Sequence, residues 1–82
     1  MPDTIIVTIC YQDKIYDFEL PSRIPRSAWE ESFRMLLKDC FPGISLEGKT
    51  TELFFDGKKI ERTQTLEQWG IYDGSYLTLK TE

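Results

Sequence analysis

Residues 51–80 read TELFFDGKKIERTQTLEQWGIYDGSYLTLK, a run in which strand and turn signals alternate down to the end. Asp56-Gly57 sits between two strand-like runs, the strongest short-range signal for a tight two-residue hairpin turn. The second arm of that hairpin is short. Thr65-x-x-Gln68 is a capping box that opens a single helical turn, and Trp69-Gly70 closes it. Ile71 then returns to the core, "YDGS" makes a turn, and the last run alternates Leu77 and Leu79 against Tyr76, Thr78 and Lys80.

Outward from that stretch, residues 4–11, TIIVTICY, alternate Ile5, Val7 and Ile9 with Ile6, Thr8 and Cys10, and their β-branched side chains favour a strand. A short polar "QDK" leads to "IYDFEL", with Tyr16, Phe18 and Leu20 on one face and Ile15, Asp17 and Glu19 on the other. The chain therefore opens with a hairpin. The charges of Asp17 and Glu19 suit an edge strand, where they discourage unwanted pairing. Two prolines in "PSRIP" break the pattern, and Ser27-x-x-Glu30 reads as a capping box that starts a helix at Ser27. Trp29, Phe33, Leu36, Leu37 and Cys40 form one apolar stripe at i, i+4, i+7, i+8 and i+11. Glu30, Glu31, Arg34 and Lys38 fall off the stripe, and the adjacent Glu30 and Glu31 read as a solvated face. "FPG" at 41–43 ends the helix.

The order ββαββ, helical turn, β predicts an α+β fold: a five-stranded mixed sheet packed on one amphipathic helix plus a short helical turn, with residues 1–82 as one domain. The β-grasp arrangement satisfies this order, and residues 51–80 resemble the second half of ubiquitin-like domains: a strand, a Gly-Lys turn, "TL" opening a helical turn, an Ile, and a closing Leu-x-Leu strand. Pro21-x-x-x-Pro25 before the helix and Ile71-x-x-Gly74-x-x-Leu77 near the end are most similar to the small bacterial YukD-like and EsaB-like proteins that accompany type VII (Esx/Yuk-type) secretion systems. That resemblance implies a cytoplasmic accessory or regulatory protein of a machine that exports small helical-hairpin substrates through a membrane-bound ATPase. Its implied partner is a protein, the secretion ATPase or another secretion component.

Composition narrows the function classes. The chain has 82 residues, 40% hydrophobic and 29% charged, enough for one small core that buries about 60% of the unfolded surface. Its net charge of −4 and dispersed basic residues argue against nucleic acid. The N-terminus lacks a secretory pattern, and no apolar run approaches the ~20 residues that span a bilayer, so a cytoplasmic protein without membrane insertion is expected. Cys10 and Cys40 are then reduced thiols, and Cys10 reads as a small strand residue. With no histidine, a Ser-His-Asp or Cys-His arrangement is impossible, and the five glycines sit one per turn rather than in a phosphate loop. No enzyme activity, metal or cofactor is expected.

Binding remains, on the face of the sheet away from the helix. If Ile5, Val7, Ile9, Leu53, Phe55, Leu77 and Leu79 face the helix, then Ile6, Thr8, Cys10, Phe54, Tyr76, Thr78 and Lys80 share the opposite face. The expected protein-binding residues are Ile6, Thr8, Phe54, Tyr76, Thr78 and Lys80, with Phe54 as aromatic anchor. The resemblance implies that Phe54, Thr78 and Lys80 occupy the centre of the commonest docking surface of ubiquitin-like domains. Lys58, Lys59 and Arg62 make a second, basic cluster at the hairpin, suited to an acidic partner. Three classes fit this inventory: a secretion-associated interaction module, a ubiquitin-like adaptor of an unrelated pathway, and a conjugated modifier or sulfur carrier. The last needs a flexible Gly-Gly tail, whereas the sequence given ends in "KTE", so a non-conjugated protein is expected unless the chain is truncated.

Overall fold

The computed structural model describes residues 3–82. Strands β1 (Thr4–Tyr11) and β2 (Lys14–Pro21) form the opening hairpin, helix α1 (Arg26–Cys40) follows, and β3 (Thr51–Phe55), β4 (Lys58–Lys59), a 3₁₀ turn (Glu67–Trp69) and β5 (Tyr76–Thr81) complete the chain. The sheet runs β2-β1-β5-β3-β4. Among the described residues the central β1–β5 pair is parallel and the other neighbouring pairs are antiparallel, so the sheet is mixed. The first and last long strands thus lie side by side at the middle, and the helix covers one face.

The period-two alternation of the sequence survives intact at the centre. Val7, Ile9, Leu53 and Leu77 are fully buried, with Ile5 and Leu79 nearly so. Against them lies an aromatic series in which Trp29 meets Phe33 edge-on at 5.6 Å, Phe33 meets Phe18 at 5.5 Å, and Phe18 stacks on Phe41 at 6.2 Å. Phe55, expected in the core, is only half-buried against it because β3 ends there at the sheet border. Tyr16 is half-exposed for the same reason, on the outer strand β2.

Two turns form as their residues dictate. Asp56 and Gly57 both adopt positive φ, 55° and 81°, as a tight hairpin turn requires and glycine tolerates. At the 3₁₀ turn, Gln68 N–H donates to Thr65 Oγ1 at 3.1 Å and Thr65 N–H donates to Gln68 Oε1 at 2.8 Å, a reciprocal capping box closed by Gly70 at φ 72°. Ile71 is buried behind it.

The start of α1 differs from the sequence expectation. The helix begins at Arg26 after Pro25, and no side chain caps it, so Ser27-x-x-Glu30 is not a capping box. Its first free donors are met from the segment after β4 instead. Arg26 N–H donates to Gln64 O at 3.0 Å and Ser27 N–H donates to Arg62 O at 2.9 Å. The stripe is also rotated: the buried residues are Arg26, Trp29, Glu30, Phe33 and Leu37, while Leu36 is exposed and Cys40 half-buried. Two charged side chains thus occupy the helix face that the sequence reserves for apolar ones.

Candidate protein-docking face

Strand register places the expected residues on the outer face of the sheet. Thr8 stands opposite Tyr76, Cys10 opposite Thr78, Thr78 opposite Phe54, and Phe54 opposite Lys59. Cross-strand partners share a face. Cys10, Thr78, Phe54 and Lys59 therefore form one continuous row, extended on the far side by Ile15 of β2. Ile6 and Tyr76 are each 53% exposed, large apolar side chains that no neighbour covers fully. Thr8, Cys10 and Phe54 are half-buried, and Thr78 and Lys80 are exposed.

Phe54 is not a bare anchor. The Lys80 Nζ lies 4.9 Å from the centre of its ring, a cation–π contact that shades the aromatic face and holds the ammonium over it. A partner that reaches Phe54 must therefore move Lys80 aside or engage it. The neighbouring Cys10 side chain, then burial, raise the Tyr76 hydroxyl above the ordinary tyrosine value. Cys10 also donates to Gln12 O at 3.4 Å. Burial first, then the charge of Asp39, raise the Cys40 thiol above its ordinary value.

The basic cluster expected at the hairpin does not assemble. Lys59 pairs with Phe54 and shares the outer face, whereas Lys58 pairs with Phe55 and points to the opposite side. Arg62 turns away to the helix, where its guanidinium pairs with Glu30. Consecutive strand residues alternate faces, and a charged neighbour decided the third. Lys59 joins Lys80 instead as the basic part of the outer face.

Sequence reasoning missed the polar group behind α1. Arg26, 1% exposed, donates to Thr51 O, to Ile60 O at 3.4 Å and to Glu52 Oε2 at 3.5 Å, with Glu30 Oε1 3.8 Å away. Glu30, set among the solvated residues by its spacing, is buried between Arg26 and Arg62. A buried charge persists only when paired, and Arg26 is paired from three elements at once. It fastens the first helical turn to β3 and to the segment after β4. The only sequence signal was an arginine beside the helix start, indistinguishable there from a surface one.

No family model and no curated protein matches the sequence. Solved structures do match. The ubiquitin-like domain of the Mycobacterium tuberculosis type VII secretion system protein EccD1 superposes with a TM-score of 0.76 at 25% identity, over 93% of this chain and 96% of that one. This chain is a ubiquitin-like β-grasp. The EccD5 ubiquitin-like domain from Mycobacterium xenopi gives a TM-score of 0.79 at 22% identity, over 99% and 97%. A subunit of the ESX-5 inner membrane complex gives 0.73 at 18% identity, with 99% of this chain matching 21% of that one. The ubiquitin-like domain described here is thus related in structure to domains of type VII secretion proteins, as the sequence resemblance implied. Among the described residues no helix is long and apolar enough to cross a membrane.

Proposed function

We propose that this ubiquitin-like domain is a non-catalytic protein-docking module, an accessory or regulatory component of a type VII (Esx/Yuk-type) secretion machine, acting at the cytoplasmic side through the outer face of its sheet. The observation that carries the reading is the placement on one face of Ile6 and Tyr76, each half-exposed, with a half-buried Phe54 ring under the Lys80 ammonium. Large apolar and aromatic groups with a basic rim are what a docking hot spot needs. The likeness to EccD ubiquitin-like domains supports a secretion component as the partner, and the membrane-bound ATPase implied by the sequence resemblance is the candidate we propose. Docking at this surface needs no covalent conjugation.

The test is affinity capture from the native host with the wild-type chain and with Ile6→Asp/Tyr76→Asp. A secretion component retained by the wild type and lost by the variant, with the thermal midpoint within a few degrees, is the expected outcome. Capture of proteolytic or ligase components instead would favour the adaptor of an unrelated pathway, and a ladder of covalent adducts would favour a modifier.

A further inference from the structure

The sheet has one long open border. Strand β1 turns the backbone groups of Ile6 and Thr8 toward the β5 side: Gly74 N–H donates to Ile6 O at 2.9 Å, Thr8 N–H to Ser75 O at 2.9 Å, and Ile6 N–H to Asp73 Oδ1 at 2.8 Å. The alternate residues Ile5, Val7, Ile9 and Tyr11 therefore bond to β2, through Leu20, Phe18, Tyr16 and Lys14. By the same alternation, Ile15, Asp17 and Glu19 direct their N–H and C=O groups away from the sheet, and among the described residues no other segment takes them up. The ladder runs without a bulge, and proline comes only at the end of the strand. The opposite border, β4, is two residues long and offers no comparable edge.

Edge strands are ordinarily guarded by charged side chains that make pairing unfavourable. Asp17 and Glu19 hold the right places but are drawn back over the sheet. Thr8 Oγ1 donates to Asp17 Oδ1 at 2.8 Å, and Thr4 Oγ1 donates to Glu19 Oε2 at 2.7 Å. The carboxylates thus line the outer face beside the edge instead of shielding it. At the same border Ile15 is 61% exposed and Tyr16 50%, and with Asp17 they line a shallow groove of about 320 Å³.

We infer that β2 is a strand-addition site for an extended segment of another protein that alternates basic and apolar side chains. Backbone bonding to Ile15, Asp17 and Glu19 supplies the affinity, and the alternation of faces supplies the specificity. On the outer face the added strand lies beside Asp17 and Glu19, two residues apart, so basic side chains at i and i+2 are complementary. On the inner face it lies beside the half-exposed Tyr16, so the intervening side chains are apolar. This site adjoins the end of the row that reaches Ile15 but lies across β1 and β5 from Phe54, the centre of the docking face.

The probe is a blocked octapeptide of alternating valine and lysine, titrated into the isotopically labelled chain and followed by amide NMR and hydrogen exchange. Shift changes should concentrate in Lys14–Pro21, and exchange at the Ile15, Asp17 and Glu19 amides should slow about tenfold at saturation. N-methylation of the peptide at its valines or at its lysines should abolish binding in one of the two cases, since alternate residues present their donors to β2. A valine–glutamate peptide should not bind, and Asp17→Asn/Glu19→Gln, which keeps acceptors for Thr8 and Thr4, should weaken the lysine peptide about tenfold. Equal binding by the glutamate peptide or by both methylated forms overturns the inference. So do shift changes centred on Phe54 and Lys80. Protection of the β2 amides in a concentration-dependent dimer without peptide also overturns it, by making the occupant a second copy of this chain.

Discussion

Two Ser/Thr-x-x-Glu/Gln motifs precede helical segments in this chain, and they end differently. Thr65 and Gln68 exchange side-chain and backbone bonds across the 3₁₀ turn, so the motif acts locally as written. Ser27 and Glu30 make no such exchange. At α1 the carbonyls of Arg62 and Gln64 arrive first at the helix donors, and Glu30 is taken by two arginines. A capping box is decided by what else lies within reach of the helix end. The short turn at the surface has only its own residues, whereas the start of the long helix is buried against a neighbouring segment that carries its own acceptors.

Breaking the buried end should therefore cost far more than breaking the local one. Arg26→Ala leaves Glu30 with half its compensation and uncovers the carbonyls of Thr51 and Ile60. Loss of about 3–5 kcal/mol is expected in urea unfolding, enough to unfold much of so small a domain. Glu30→Gln keeps the shape but removes the carboxylate from between Arg26 and Arg62, and about 2 kcal/mol should be lost in the same measurement. Thr65→Ala removes only the acceptor for Gln68 N–H, and about 1 kcal/mol should go. Ser27→Ala should change stability by less than ~0.5 kcal/mol, since its hydroxyl caps nothing. A Ser27→Ala loss matching that of Thr65→Ala would restore the local reading of both motifs.

What the sequence made legible follows the same division between local and distant causes. The alternation of Ile5, Val7 and Ile9 with Ile6 and Thr8, the Asp56-Gly57 turn and the Thr65 cap are short-range signals, and each produced its element. Because strand alternation is strict, it also placed Ile6, Thr8, Phe54, Tyr76, Thr78 and Lys80 together on the outer face. The rotation of α1 was hidden because Arg26 and Glu30 look like surface charges until β3 and the segment after β4 close over them. With those two buried, Leu36 is turned outward. The basic cluster failed for a similar reason: proximity in sequence says nothing of which face Lys58 takes or whether Arg62 finds Glu30. The cover of Lys80 over Phe54 needed β3 and β5 set side by side.

The outer face contrasts with the buried end of α1 in what its side chains leave available. The terminal guanidinium nitrogens of Arg26 are held by Glu30, Thr51, Glu52 and Ile60, while Lys80 and Tyr76 are open to solvent. The most direct test of docking there is a hydrogen-exchange footprint of this domain bound to the secretion component it captures. Slowed exchange along β3 and β5 around Phe54, Tyr76 and Thr78, with α1 unchanged, is the predicted result. Protection confined to the exposed side of α1, with the sheet unchanged, would contradict it.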